Sequence, residues 1–460
     1  MTSNDFSKSN CLEDVVSIAP KKELSLFDSM CIIVGIIIGV GIYETAPTVA
    51  ASMGSGANTL AIWLIGGLLA LTGALCYAEL ATAYPHEGGD YVYQNRAYGG
   101  WAGYLFGWSQ LAIIRPGDIA LMAFVFARYA QTLYAPFENA RQIYAAAAVI
   151  VLTIINVLGV KQGKWTQNIL TVIKALGLLT IFATGIFGAG QPLTSAEPAA
   201  VTTGGLKLAL ILVLFTYGGW NEMAYVAAEV KRPQKNIVRA LVIGTTAVTV
   251  LYVLVNSSFL HALGYAKMIA SQAVASETLG MGFPEMASRG ISVLICISAL
   301  GAVNGLIFTG ARISYALGVE HSSFRGIGSW NGRLGTPVWA LIVQCSLSLA
   351  IVFLAGSFID TILYTAPVVW LFFLVTGLSV FILRHKEPQT LRPYKVTGYP
   401  IPVFFFCACC IFMLYSSVTY ALANKPTGLL LVICVLLAGV FIYWFTDVRG
   451  RLHQQRDSRV

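Results

Sequence analysis

The sequence predicts an all-α polytopic membrane protein of twelve transmembrane helices, two of them broken at mid-span. Three observations carry that prediction. Of 460 residues, 57% are hydrophobic and only 11% charged, against roughly 25% charged in soluble domains. Apolar runs long enough to cross a bilayer, ~20 residues each, recur along the whole chain. Two of those runs carry a glycine pair at mid-depth: Ile36 to Glu44 reads IIIGVGIYE and Phe215 to Glu222 reads FTYGGWNE.

The elements follow in order. The polar, acid-bearing tail 1–28 lacks the basic-then-apolar pattern of a cleaved signal, so the first span, 29–53, must start insertion itself. Glycine costs roughly 1 kcal/mol per helical residue relative to alanine, so this helix breaks cheaply at Gly39 and Gly41. The second span, 57–83, ends in AELATAYP, and Pro85, Gly88 and Gly89 make a turn after it. The third, 100–130, holds Arg115 and Asp118 three residues apart with Pro116 between them, a spacing that allows an ion pair on one face. The fourth and fifth are 141–159 and 164–189, and Lys174 lies deep inside the fifth. The sixth, 206–229, contains the second break. The seventh, 236–261, leads into a long loop from Ala262 to Ser288. The eighth, 289–319, carries Asn304 at mid-depth, where a polar amide needs a partner or a wet cavity. A basic loop from Glu320 to Thr336 separates it from the ninth, 337–355, and the tenth, 358–383. Spans 401–422 and 427–446 and a tail, 447–460, complete the chain.

Basic residues orient it. Loops on the N-terminal side hold twenty Lys and Arg, from Lys8 to Arg459, against five on the other: Arg141, Lys207, Lys267, Arg289 and Lys425. Both termini are therefore expected in the cytoplasm, and the net charge of +8 is this bias rather than a nucleic-acid surface. The nine cysteines show no paired extracellular pattern, so a disulfide framework is not expected. Cys407, Cys409 and Cys410 cluster without His or acidic neighbours and read as packing residues, not metal ligands. A phosphate loop would need GxxxxGK[ST], which is absent. No cofactor and no metal are expected, and five scattered histidines argue against an enzyme.

Broken helices in hydrocarbon are tolerated only where they are buried in protein or line a wet cavity. Interrupted spans at matching positions of two halves point to a transporter's substrate site. The first and sixth spans match if 29–189 and 206–383 are two five-helix repeats, the second inverted because five is odd, with 401–446 as an addition. An unwound helix offers free N–H groups to a carboxylate and free carbonyls to an ammonium. On this chain the N–H groups of Val40 and Gly41 are the carboxylate candidates, and the carbonyls of Ile37, Phe215 and Gly218 the ammonium candidates. Tyr217, Trp220, Asn221 and Asn304 are further lining candidates, Asn304 serving equally well as interhelical glue. A buried ammonium at Lys174 could carry a proton or stand in for a metal ion.

Six motifs in order carry a resemblance: AELATAYPHEGGDYVYQ (78–94), IRP (114–116), YGGWNE (217–222), EVKRPQKNI (229–237), GAVNGLIFTGAR (301–312) and RPYKVTGYP (392–400). The chain resembles the amino acid–polyamine–organocation superfamily, and within it the bacterial L-type amino acid transporter-like permeases. The resemblance implies a leucine-transporter-type 5+5 inverted repeat in the cell's inner (plasma) membrane. It implies an alternating-access amino acid transporter, an exchanger or proton-coupled permease for small or neutral amino acids. It also implies that Phe215 covers the substrate and that Lys174 bridges the first and eighth helices where sodium-coupled relatives hold Na⁺. Family members often read Gly-Ser-Gly at the first break; Val40 keeps the backbone donor and loses the hydroxyl. Glu44, where the family is often apolar, either favours cationic substrates or caps a helix. Arg115, Asp118, Glu44, Trp220 and Asn221 are pathway candidates. The alternatives are an amine, polyamine or cationic amino acid permease, or an amino acid receptor that transports nothing. Eukaryotic relatives attach a heavy subunit through a cysteine before the fourth helix. Residues 131–140 contain none, so no such partner is expected.

Overall fold

The computed structural model describes residues 20–135, 138–188, 201–354, 358–424 and 426–448. Much of both expected tails, 1–19 and 449–460, lies outside the described residues. Each of the twelve apolar runs is helical. Among the described residues, nine helices are long and apolar enough to cross a membrane, and three shorter apolar ones, Gly204–Thr216, Val338–Phe353 and Val432–Thr446, stand at the sixth, ninth and twelfth places.

The first span starts at Leu26 because Ser25 caps it: its Oγ accepts from the Asp28 N–H, and the Asp28 carboxylate accepts from the Ser25 N–H at 2.8 Å. It runs to Ile37, resumes as a single turn at Gly41–Glu44 and continues as Ala46–Met53. The sixth span is helical over Thr203–Thr216, turns through Tyr217 to Asn221 and closes with a short turn, Glu222–Tyr225. Leu24 pairs with the strand-like segment after the sixth span: its N–H donates to the Glu229 carbonyl at 2.9 Å, and its carbonyl accepts from the Lys231 N–H at 2.8 Å.

Three features depart from the expected boundaries. Asp90–Tyr98, expected as part of a loop, is a separate helix between the second and third spans. The third span passes through a π-helical turn, Gln110–Ile114, just before Pro116. Proline supplies no N–H, and a wider turn absorbs the resulting gap in the helix ladder. The seventh span extends to Ala270, past a kink at Gly264, and Val274–Gly280 is helical, so the segment from Ala262 to Ser288 is mostly not loop.

Helices five apart in order meet each other: the second packs on the seventh (Pro233–Ala270), the third on the eighth (Ala287–Glu320) and the fourth (Ala140–Val157) on the ninth (Val338–Leu354). The first span sits inside, against the fifth, seventh and eighth. The eleventh and twelfth lie outside, and their exposed Phe404, Phe405, Leu437 and Phe441 suit contact with lipid.

Candidate functional site

The first break leaves carbonyls without helical partners, and side chains from three other spans take them up. Lys174 Nζ, fully buried, donates to the Gly35 carbonyl at 2.7 Å, to Ile38 at 3.0 Å and to the eighth span's Ser298 carbonyl at 3.0 Å. Ser298 Oγ donates to Ile38 at 2.8 Å, and the Tyr252 hydroxyl to Ile37 at 2.8 Å. The opened strand is thus held in place by one lysine side chain and two hydroxyls. On the outgoing side, the N–H groups of Val40 and Gly41 meet no protein acceptor among the described residues.

The two breaks lie against each other, and glycine permits it. Gly219 has φ of +116°, a backbone conformation that L side chains rarely adopt, and a Cβ there would come within 2.6 Å of Ile36 Cγ2. A Cβ at Gly41 would stand 2.6 Å from Thr216 Oγ1. In the sixth span, Phe215's carbonyl already accepts from the Gly218 N–H at 3.0 Å, whereas Gly218's own carbonyl is free of hydrogen bonds among the described residues.

A cavity of about 190 Å³ opens where the breaks meet. Ile37, Gly39, Val40 and Gly41 line it from the first span, and Phe215, Gly218, Trp220 and Asn221 from the sixth. Leu121 and Met122 of the third span, Leu306 of the eighth, and Val369, Trp370 and Phe373 of the tenth make most of the remaining wall apolar. Three acidic or basic residues join that wall: Arg115, Asp118 and Glu222.

Their pairing is not the one the sequence spacing suggests. Arg115 Nη2 donates to Glu222 Oε1 at 2.8 Å, and both side chains are buried. Arg115 Nε donates to Gln110 Oε1 at 2.9 Å, and Glu222 Oε2 accepts from Thr309 at 2.5 Å. The guanidinium also lies 5.0 Å from the centre of the Tyr225 ring. The nearby Asp118 forms no ion pair with Arg115, because the sixth span's carboxylate occupies that place. From Tyr225 a hydroxyl relay runs away from the cavity. Asn221 donates to the Tyr225 hydroxyl at 2.9 Å, which donates to Asp90 Oδ2 at 2.6 Å. Asp90 also accepts from Thr376 at 2.5 Å and from Tyr77. Burial pushes the Asp90 carboxyl up to about 6, against the pull of those hydroxyl donors.

Two lining candidates fall elsewhere. Tyr217 is fully buried behind the break, its hydroxyl donating to the Trp63 carbonyl at 3.0 Å. Asn304 is not in the cavity wall: its Nδ2 donates to Gly163 O at 3.1 Å and Gln167 Oε1 at 2.9 Å, and its Oδ1 accepts from Asn156 at 2.9 Å. It joins the eighth span to the fourth and fifth, its glue role. Glu44 also stands outside this cavity. It lines a second one with Tyr43, Arg128 and Tyr129, ion-paired to Arg128 and accepting from the Tyr129 hydroxyl at 2.8 Å. Glu222, Tyr225, Tyr252 and Ser298 were not singled out from the sequence. Only Glu222 carried a signal, as a charge directly after a broken helix.

The family model for amino acid permeases matches residues 24–441. The rabbit (Oryctolagus cuniculus) b(0,+)-type amino acid transporter 1 is 33% identical over 385 residues, covering 82% of this chain and 79% of that protein. Its human (Homo sapiens) counterpart is 33% identical over 441 residues, 92% of this chain and 88% of that protein. The large neutral amino acids transporter small subunit 2 of Mus musculus is 33% identical over 440 residues, 93% of this chain and 81% of that protein.

Proposed function

The chain belongs to the amino acid permease family, and on that footing we propose that it is a secondary active transporter that carries amino acids across a membrane by alternating access. It is not an enzyme. The observation that supports this reading most is the meeting of two broken spans at one cavity, with free donors on one side and a free acceptor on the other. The Val40 and Gly41 N–H groups take the substrate's α-carboxylate, and the Gly218 carbonyl, with that of Phe215, takes the α-ammonium; the Ile37 carbonyl is already filled by the Gly39 N–H at 2.7 Å and the Tyr252 hydroxyl at 2.8 Å. Both charges need such partners, because an unpaired charge at mid-membrane is very costly. Phe215 covers the substrate.

In this reading Lys174 holds the break in shape as a fixed cation. The end of the bundle with the basic loops faces the cytoplasm, both termini lie there, and the membrane is the cell's inner one. The five-helix halves 29–189 and 206–383 rock about the two breaks. The relatives at Mus musculus carry "small subunit" in their name; this chain has no cysteine between Gln131 and Ala140 and works without a disulfide-linked partner.

The test is uptake of a radiolabelled amino acid mixture into proteoliposomes, with and without amino acid inside and with and without a proton gradient. Uptake that requires internal amino acid makes the protein an exchanger, and uptake that follows an inward proton gradient makes it a proton-coupled importer. Binding without any uptake would make it a receptor. Uptake of amines such as putrescine alone would leave the Val40 and Gly41 donors without a purpose and sink the reading.

A further inference from the structure

We propose that Asp118 selects substrates whose side chain ends in a cation, such as lysine or ornithine; this names the substrate class of the site above and rests on that reading. The argument is one of charge balance. The cavity wall carries one cation, Arg115, and two carboxylates, Asp118 and Glu222. Arg115 is spent on Glu222, in a buried pair at 2.8 Å whose second carboxylate oxygen is held by Thr309. Among the described residues no hydrogen bond or ion pair reaches the Asp118 carboxylate. It is nevertheless part of the cavity wall, and it keeps some exposure while Arg115, Gly117 and Ile119 beside it are buried. A lone carboxylate in a confined space within a membrane requires a countercharge, and among the described residues the nearby cation, Arg115, is already paired with Glu222.

The surroundings say what kind. Leu121, Met122, Leu306 and Val369 suit a stem of methylene groups, and Asp118 is the acceptor left for its tip. A zwitterion with a neutral side chain satisfies the two breaks and leaves Asp118 unpaired. One with a terminal ammonium satisfies all three. The cavity then holds three carboxylates and three cations, one of the carboxylates and two of the cations arriving with the substrate.

The experiment is inhibition of radiolabelled alanine exchange in proteoliposomes by lysine and by norleucine, whose side chains differ chiefly in the terminal ammonium. The wild-type protein is expected to prefer lysine by about tenfold or more, the scale of one charge-assisted hydrogen bond. In Asp118→Asn the lysine-to-norleucine preference should collapse toward unity, and Asp118→Glu should retain it. Equal or weaker inhibition by lysine in the wild type overturns the proposal without any variant having to fold. Retained preference in Asp118→Asn overturns it too. So does alanine exchange whose pH dependence disappears in Asp118→Asn with no lysine preference, which would make the countercharge a proton. If no amino acid exchanges or raises the protein's unfolding temperature, the transport reading itself has failed; alanine exchange without lysine preference defeats only the present inference.

Discussion

Lys174 shows how a single side chain replaces a missing stretch of helix. Its three donors serve three backbone carbonyls on two spans, and each carbonyl left unserved costs about 1–3 kcal/mol. Lys174→Met should therefore abolish exchange and lower the unfolding temperature in detergent, while Lys174→Gln, keeping donors without the charge, should lose less of both. A wild-type unfolding temperature in Lys174→Met would show that the ammonium is dispensable to the break. Gly39 separates folding from binding in a different way. A Cβ there would find nothing nearer than the Ile37 carbonyl at 3.9 Å, yet Gly39 lines the cavity. Gly39→Ala should leave the unfolding temperature near wild type and weaken substrate affinity by roughly tenfold, about 1.4 kcal/mol, read as a raised KM. By contrast, Gly301→Ala would place its methyl 2.7 Å from Lys174 Nζ and should damage both.

At the scale of elements, Asp90 ties the short helix Asp90–Tyr98 to the second span through Tyr77, to the sixth through Tyr225 and to the tenth (Phe358–Lys386) through Thr376. Tyr225 also lines the cavity, so opening that end requires the latch to part. The latched state raises the Asp90 carboxyl from 3.8 to about 6, by burial first and also by the nearby Glu222. A latched state that binds the proton more tightly than an open, hydrated one is favoured as pH falls, and the advantage disappears above about pH 6. Between pH 7.5 and 5.5 the equilibrium should move roughly fourfold toward the latched form. Labelling of a cysteine introduced at Asn221 from the basic-loop side should slow by that factor, and Asp90→Asn should remove the pH response. Unchanged labelling across that range in the wild-type latch would refute the assignment.

Across the whole molecule the two ends of the bundle are fastened differently. At the basic-loop end, Arg312 pairs with Glu229 at 2.7 Å with both side chains buried. Nearby, Glu79 receives Arg384 at 2.8 Å and the Val396 N–H at 2.7 Å. At the other end the Glu44–Arg128 pair is partly exposed, Arg128 by 47%. Breaking a buried pair by removing one partner costs about 3–5 kcal/mol, whereas a solvated pair contributes at most about 1 kcal/mol and is screened by salt. Arg312→Ala should lower the unfolding temperature much more than Arg128→Ala. Only the effect of Arg128→Ala on transport should shrink as salt is raised.

The parts of this architecture legible in the sequence are those that a bilayer reads locally. Span length, glycine at a break and a charge far from either end of an apolar run each violate or satisfy a local rule of membrane solvation, whatever the neighbours. Spans, breaks and Lys174 were visible on that ground. Facing was not. Lipid and protein interior are both apolar, so a span carries little polar stripe to show which side meets a cavity. Tyr217 and Asn304 therefore read as lining residues, although one packs behind the break and the other joins three helices. Partner choice was equally hidden. Arg115 and Asp118 share a helix face by spacing, but Glu222, 107 residues away, takes the guanidinium. Sequence by itself determined that this chain crosses a membrane and where its helices break, because those follow from the solvent each residue meets. Only the tertiary structure decided which charges cancel and which one is left facing the cavity, because pairing depends on distances that chain order does not contain.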